Sequence, residues 1–205
     1  RGAGNLLGAE QSGFIADLGY ETYQKILKES ITELKTEEFA GEFTSEETEA
    51  FVADCAIESD LELRLPPEYV PQEGERISLY QELDNITSDS GVADFRARLI
   101  DRFGPLPEVS EELLRIPPLR RMARALGIER LNLKQGRMYL YFAGDENRAY
   151  SQGPAFGRIL TFMQANAARC RFRQVNGRRS MVMDGIKSTA AALAALASMS
   201  DMPPA

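Results

Sequence analysis

The chain contains no histidine. This excludes a Ser-His-Asp triad, a Cys-His catalytic pair and every metal site that uses imidazole. Cysteine is nearly as scarce: Cys55 and Cys170 form at most one pair in a chain of 205 residues, long enough to bury a core without a staple. A reduced, cytoplasmic setting is therefore expected. No apolar run approaches the ~20 residues of a membrane span, and no basic-then-apolar leader opens the chain. A soluble protein is expected. What is present is globular in balance, 43% hydrophobic and 27% charged, which is neither a disordered nor a fibrous composition. The first residue is Arg1 rather than Met, and no strand precedes the glycine-rich opening. The sequence thus reads as a piece of a longer protein.

Charge is unevenly placed. The net charge is −7, but residues 1–95 hold 6 Lys and Arg against 22 Asp and Glu, whereas residues 96–205 hold 18 against 9. The basic half suits a phosphate backbone, an acidic protein surface or the acidic first half equally well.

Apolar residues at Ile15, Leu18, Tyr23, Ile26, Leu27, Ile31 and Leu34 recur at helical spacing and predict an amphipathic helix, firmest from Tyr20 to Lys35. Six glutamates and no basic residue between Thr36 and Ala50 read as a solvated linker. Alternation from Cys55 to Leu65 predicts a strand ended by Pro66-Pro67. Helices are expected from Gly74 to Ile86, from Ser90 as N-cap to Gly104 as stop, and from Pro107 onward. Pro117-Pro118 would interrupt this last helix before Leu119 to Leu126 resume it.

The last third reads as a degenerate repeat of strand, tight turn, strand and helix. Arg130 to Lys134, Gln135-Gly136 and Arg137 to Phe142 form the first hairpin, with a helix at Phe156 to Ala167. Arg169 to Val175, Asn176-Gly177 and Arg178 to Met183 form the second, with an Ala-rich helix from Ile186 to Met199. The expected fold class is α+β: an N-terminal helical element and linker, then a helical segment with a small, mainly antiparallel sheet built from these units, with helices on one face.

No catalytic or metal-ligating constellation emerges. Gly2, Gly4 and Gly8 miss the dinucleotide fingerprint by one position, where Leu7 stands, and no phosphate-binding GxxxxGK[ST] loop occurs. Glu108, Glu111 and Glu112 fall in the first turns of a helix, where carboxylates complement the macrodipole. Met181, Met183 and Met199 suit core filling. Arg169, Arg171 and Arg173 alternate along one strand face as a candidate basic surface, or as an ordinary solvated face. The string Asp101-Arg102-Phe103-Gly104-Pro105-Leu106-Pro107 stands out physically. A glycine stop and two stiffening prolines would hold Asp101 and Arg102 at a rigid corner, as a local ion pair or as a preorganised docking contact.

The strings Arg1-Gly2-Ala3-Gly4-Asn5-Leu6-Leu7-Gly8, Gln11-Ser12-Gly13 and Leu18-Gly19-Tyr20 with Tyr23 resemble the element after the last helicase motif in bacterial transcription-repair coupling factors and RecG-type translocases. Asp54-Cys55, Ile57-Glu58, Arg76-Ile77-Ser78-Leu79-Tyr80, the Asp101 to Pro107 string and Ala125-Leu126-Gly127-Ile128 resemble the C-terminal domain peculiar to the coupling factors. The resemblance spans residues 1–135 and weakens beyond them.

It implies a protein that recognises stalled RNA polymerase, translocates on duplex DNA with ATP and recruits the excision nuclease's damage-recognition subunit. The ATPase lobes that bind ATP and Mg would lie outside this chain, leaving it without catalytic residues, metal or cofactor. Arg1, Gly2, Gly4, Gly8, Gln11 and Gly13 would belong to a translocation relay, although Phe14 departs from the polar residue or His common there. The C-terminal domain would dock on the parent's N-terminal module and mask the recruiting site, with Arg98, Asp101 and Arg102 as docking residues. Arg98 stands where relatives often carry an acid. The implied organisation is a relay element at 1–35, an acidic linker at 36–53 and a monomeric regulatory domain at 54–205. The contrasting expectation is a DNA-binding module built on Arg169, Arg171, Arg173, Arg178 and Arg179.

Overall fold

A computed structural model describes residues 19–20, 22–24, 52–144, 147–175 and 177–204. The glycine-rich opening, most of the helix expected from Tyr20 to Lys35 and nearly all of the acidic linker lie outside these residues. The described residues divide into two compact units, one within residues 1–41, 62–86 and 90–114, the other within 42–61, 87–89 and 115–205.

The first unit contains α1 (Glu73–Asp84), α2 (Asp89–Phe103) and α3 (Glu108–Leu114). Ser90, expected as the N-cap of α2, lies one residue inside it, within the ordinary uncertainty of a helix end. Phe95 and Leu99 are buried one turn apart, so α2 turns one apolar stripe inward. Gly104 ends the helix with φ +88°, a left-handed stop that a side chain would resist.

Tyr20, Tyr23 and Tyr80 form a buried aromatic cluster, with Tyr23 stacked on Tyr80 at 5.7 Å. The Tyr20 hydroxyl donates to Asp84 at 2.8 Å. Tyr23, the described residue of the N-terminal stripe, thus finds its partner surface on α1, with Tyr20 beside it.

The second unit holds β1 (Ala56–Ser59), α4 (Ile116–Ala125), β2 (Ile128–Lys134), β3 (Arg137–Phe142), α5 (Arg148–Ser151), α6 (Pro154–Ala165), β4 (Cys170–Val175), β5 (Arg178–Asp184) and α7 (Thr189–Ser200). Its strands make one sheet in the order β1-β2-β3-β5-β4, with β1 parallel to β2 and the other pairs antiparallel. The α+β class with a mainly antiparallel sheet is therefore correct, and both tight-turn hairpins form.

Register sorts the side chains onto two faces. One buried row runs Leu131, Leu140, Met181 and across to Phe172; the next runs Leu133, Met138, Met183 and Cys170. All but the half-buried Phe172 are buried, so these rows carry much of the core, and Met181 and Met183 are core residues. Met199 on α7 is buried too. Helix α4 packs on β2, β1 and α7, and α7 also meets α6. Ser188 caps α7 by accepting the Ala191 N–H at 3.0 Å.

Two expectations need correction. The strand expected from Cys55 to Leu65 stops at Ser59. Beyond it the backbone finds partners other than a ladder: Leu63 C=O accepts from Tyr20 N–H at 2.9 Å, and Leu65 N–H donates to the Tyr80 hydroxyl at 2.9 Å. The helix expected from Pro107 onward is interrupted, but at Arg115 rather than at the prolines: α3 ends at Leu114, and Pro117 and Pro118 occupy the first turn of α4, where a missing N–H costs nothing. Both cysteines are free and buried.

Candidate functional site

The Asp101-Arg102 corner is held from beneath. The Tyr69 hydroxyl lies 3.0 Å from the Leu99 carbonyl and 2.9 Å from that of Gly104, and its ring meets Phe103 at 5.6 Å. Burial raises the Tyr69 phenol above its ordinary pKa, with Glu111 adding and Arg96 opposing. Buried Arg76 at the start of α1 donates to the carbonyls of Val70 at 2.7 Å and Pro71 at 3.1 Å. The loop before α1 and the end of α2 are thus tied by hydrogen bonds that a mobile segment would lack.

Above this support lies a half-open groove of about 290 Å³ lined by Leu79, Phe95, Arg98, Leu99, Asp101, Arg102 and Phe103. All three docking residues expected from the sequence line it. Arg98 pairs with Glu82 and lies 5.5 Å over the Phe95 ring; Arg102 pairs with Glu75 at 2.5 Å and lies 5.1 Å over Phe103. The local Asp101-Arg102 ion pair does not form: Arg102 faces Glu75 on α1. Among the described residues no ion pair or hydrogen bond engages the exposed Asp101 carboxylate. An apolar floor rimmed by two guanidinium groups and one unpaired carboxylate suits a polar side chain presented by a protein partner.

The other candidates separate. Glu111 pairs with Arg96 at 2.5 Å, and Glu108 and Glu111 lie in the first turn of α3, the macrodipole role. Among the described residues no group of His, Cys, Asp or Glu is arranged to hold a metal, and no helix is long and apolar enough to cross a membrane. Arg169 donates to the Asp184 carbonyl at 3.0 and 3.2 Å, and Arg171 pairs with the Asp184 carboxylate. Arg173 is exposed with no carboxylate partner among the described residues. Arg179 lies 4.7 Å over Phe156 and donates to Ser151 Oγ at 2.8 Å. Arg1, Gly2, Gly4, Gly8, Gln11 and Gly13 lie outside the described residues.

Sequence reasoning missed Tyr69 and Leu79, whose roles rest on contacts far along the chain. It also missed Arg130, Tyr139 and Tyr141, although alternation counted outward from the Gln135-Gly136 turn places them together.

A family model for the TRCF domain matches residues 59–152, which include α1, α2 and the groove. The transcription-repair-coupling factor of Escherichia coli (strain K12) is 35% identical over 133 residues, covering 64% of this chain and 11% of that protein. That of Rickettsia bellii (strain RML369-C) is 31% identical over 176 residues, covering 86% and 14%. The chain therefore spans only a small part of the length of these relatives. A crystal structure of the C-terminal domain of transcription-repair coupling factor aligns with TM-score 0.60 and 16% identity, over 72% of this chain and 92% of that one. The domain match, the relatives and the shared fold together make this chain a C-terminal region of the transcription-repair-coupling factor family.

Proposed function

We propose that the chain is the regulatory docking part of an ATP-dependent DNA translocase that couples transcription to nucleotide excision repair. Its α1–α2 groove docks on the parent's N-terminal module and masks the site that recruits the damage-recognition subunit. In this reading residues 1–35 relay translocation, 36–53 tether and 54–205 dock. The protein works in the cytoplasm, and RNA polymerase and duplex DNA engage other parts of the parent. ATP and Mg bind the parent's ATPase lobes, and the chain itself hydrolyses nothing.

One observation carries the reading: Arg98, Asp101 and Arg102 converge on one groove whose corner is clamped by Tyr69. A preorganised polar rim over an apolar floor loses little entropy on docking. Asp101, unpaired here, is the natural acceptor for a cation on the partner.

The test is a calorimetric titration of the chain against the N-terminal module. Binding that weakens by about 1–2 kcal/mol in Asp101→Ala or Arg102→Ala supports the clamp. Unchanged affinity in both variants removes the groove from the interface. In the full-length parent, deleting residues 54–205 should raise binding to the damage-recognition subunit, and unchanged binding would end the masking role. Arg1 or Gln11 substitutions should impair translocation more than ATP binding, and normal translocation would remove both from the relay.

A further inference from the structure

The sheet of the second unit has one face whose side chains stay exposed or half-exposed. Cross-strand register places Arg130, Tyr141, Ser180 and Arg173 in one row of that face, and Asn132, Tyr139, Val182 and Arg171 in the next. None of these residues is buried, in contrast to the opposite face, where the core rows lie.

Charge on this face is one-sided. Its acidic groups are Glu58, which pairs with Lys134 at 3.0 Å, and Asp184, which pairs with Arg137 at 2.9 Å and with Arg171. Both stand toward the Lys134/Arg137 end. Toward the other end Arg130, Arg173 and Arg178 are exposed, and among the described residues no carboxylate pairs with them. Arg178 lies opposite Val175, an apolar side chain 63% exposed. The Arg130 guanidinium lies 4.1 Å from the centre of the Tyr141 ring, which fixes that ring and presents a flat cation above it.

We infer that this face binds single-stranded nucleic acid, with phosphates on Arg130, Arg173 and Arg178 and bases against Tyr139, Tyr141 and the Arg130 plane. Arg130 on β2 and Arg173 on β4 are three strand steps apart, about 14 Å, with the tyrosines of β3 between them. Cations flanking a pair of aromatic rings form the stacking platform that unpaired strands use. A five-stranded sheet spans about 19 Å and is too broad for a major groove about 12 Å wide. Bases reach a flat sheet only when they are unpaired. An acidic peptide would satisfy the arginines and leave the ring positions without a role.

The test is fluorescence anisotropy of the whole chain with a labelled single-stranded oligonucleotide of about 12 nucleotides, titrated between about 50 and 200 mM salt. A duplex of equal length and a polyglutamate peptide serve as competitors. Three phosphate contacts predict a slope of log affinity against log salt of about −2, flattened by about 0.7 in Arg173→Ala. Tyr141→Leu should weaken binding about 5- to 100-fold at unchanged salt slope, and Tyr141→Phe should restore it. These side chains are not buried, and a thermal melt of each variant separates lost binding from lost fold. Absence of binding at low salt overturns the inference. So does competition by the duplex or the peptide as strong as that by the single strand, or indifference to both Arg173→Ala and Tyr141→Leu in folded protein.

Discussion

The Tyr150 ring lies across Gly127 so closely that a β-carbon there would stand 2.1 Å from the ring's Cε2. Gly127 also has φ +71°, so it is constrained both in backbone and in space. The Tyr150 hydroxyl donates to the Leu126 carbonyl at 2.8 Å and is fully buried. This closes the end of α4 just before β2 begins. The Ala125 to Ile128 string is thus recognisable in the sequence for a packing reason rather than a chemical one.

Gly127→Ala should cost about 3 kcal/mol or more, since a left-handed alanine and a ring forced aside each contribute. In a Tyr150→Ala background the same change should cost only the backbone share, about 1–2 kcal/mol. Denaturant melts of the four proteins in this cycle measure the difference, and equal costs in both backgrounds would show that the ring is not the obstacle.

Arg76 carries a similar load in the other unit. It is buried at 4% exposure and donates to the carbonyls of Val70 and Pro71. Arg76→Met keeps the stem but strands both acceptors, so stability should fall by about 2–3 kcal/mol. An equilibrium unfolding curve checks this, and a loss below about 0.5 kcal/mol, the scale of an ordinary surface change, would mean that water replaces the guanidinium there.

Both hairpins were legible because a short polar turn between two alternating runs specifies pairing locally. Strand order was not: β5 lies between β3 and β4, and alternation tells which face a residue takes but not which strand is its neighbour. The alternation of Cys55 to Leu65 was misleading beyond Ser59, because Tyr20 and Tyr80, from other parts of the chain, serve the backbone there. Arg98, Asp101 and Arg102, spaced three and four apart, were visible as one helix face. Their ion-pair partners Glu82 and Glu75 were not, because those contacts depend on how α1 and α2 pack.

Cys55 offers a pH test. Burial, with Asp54 adding and Arg120 and Arg124 opposing, pushes its thiol from an ordinary value of 9.0 up to about 12. Above pH 9 the unfolded chain releases this proton while the folded chain keeps it. The associated stability is therefore complete below pH 9 and is lost as pH rises toward 12. The loss should approach about 1.4 kcal/mol per pH unit within that window. Cys55→Ala removes this slope and adds only a packing offset that does not vary with pH. Melts of both proteins from pH 8 to 11 should therefore converge as pH rises, and parallel curves would show that the thiol ionises without penalty.

The corner that carries the docking reading depends on one hydroxyl. Tyr69 reaches the carbonyls of Leu99 and Gly104 across the end of α2, and the Gly104 amide also closes on the Ile100 carbonyl at 2.9 Å. Tyr69→Phe keeps the ring against Phe103 and removes the clamp, so stability should fall by about 1–2 kcal/mol. If preorganisation of Asp101 and Arg102 underlies docking, affinity for the N-terminal module should also fall, although Tyr69 itself is buried and needs no contact with the partner. Calorimetry well below the melting temperature separates the two effects. Weakened binding by a fully folded Tyr69→Phe variant would place rigidity in the mechanism, whereas wild-type affinity would mean that the rim residues act without the clamp.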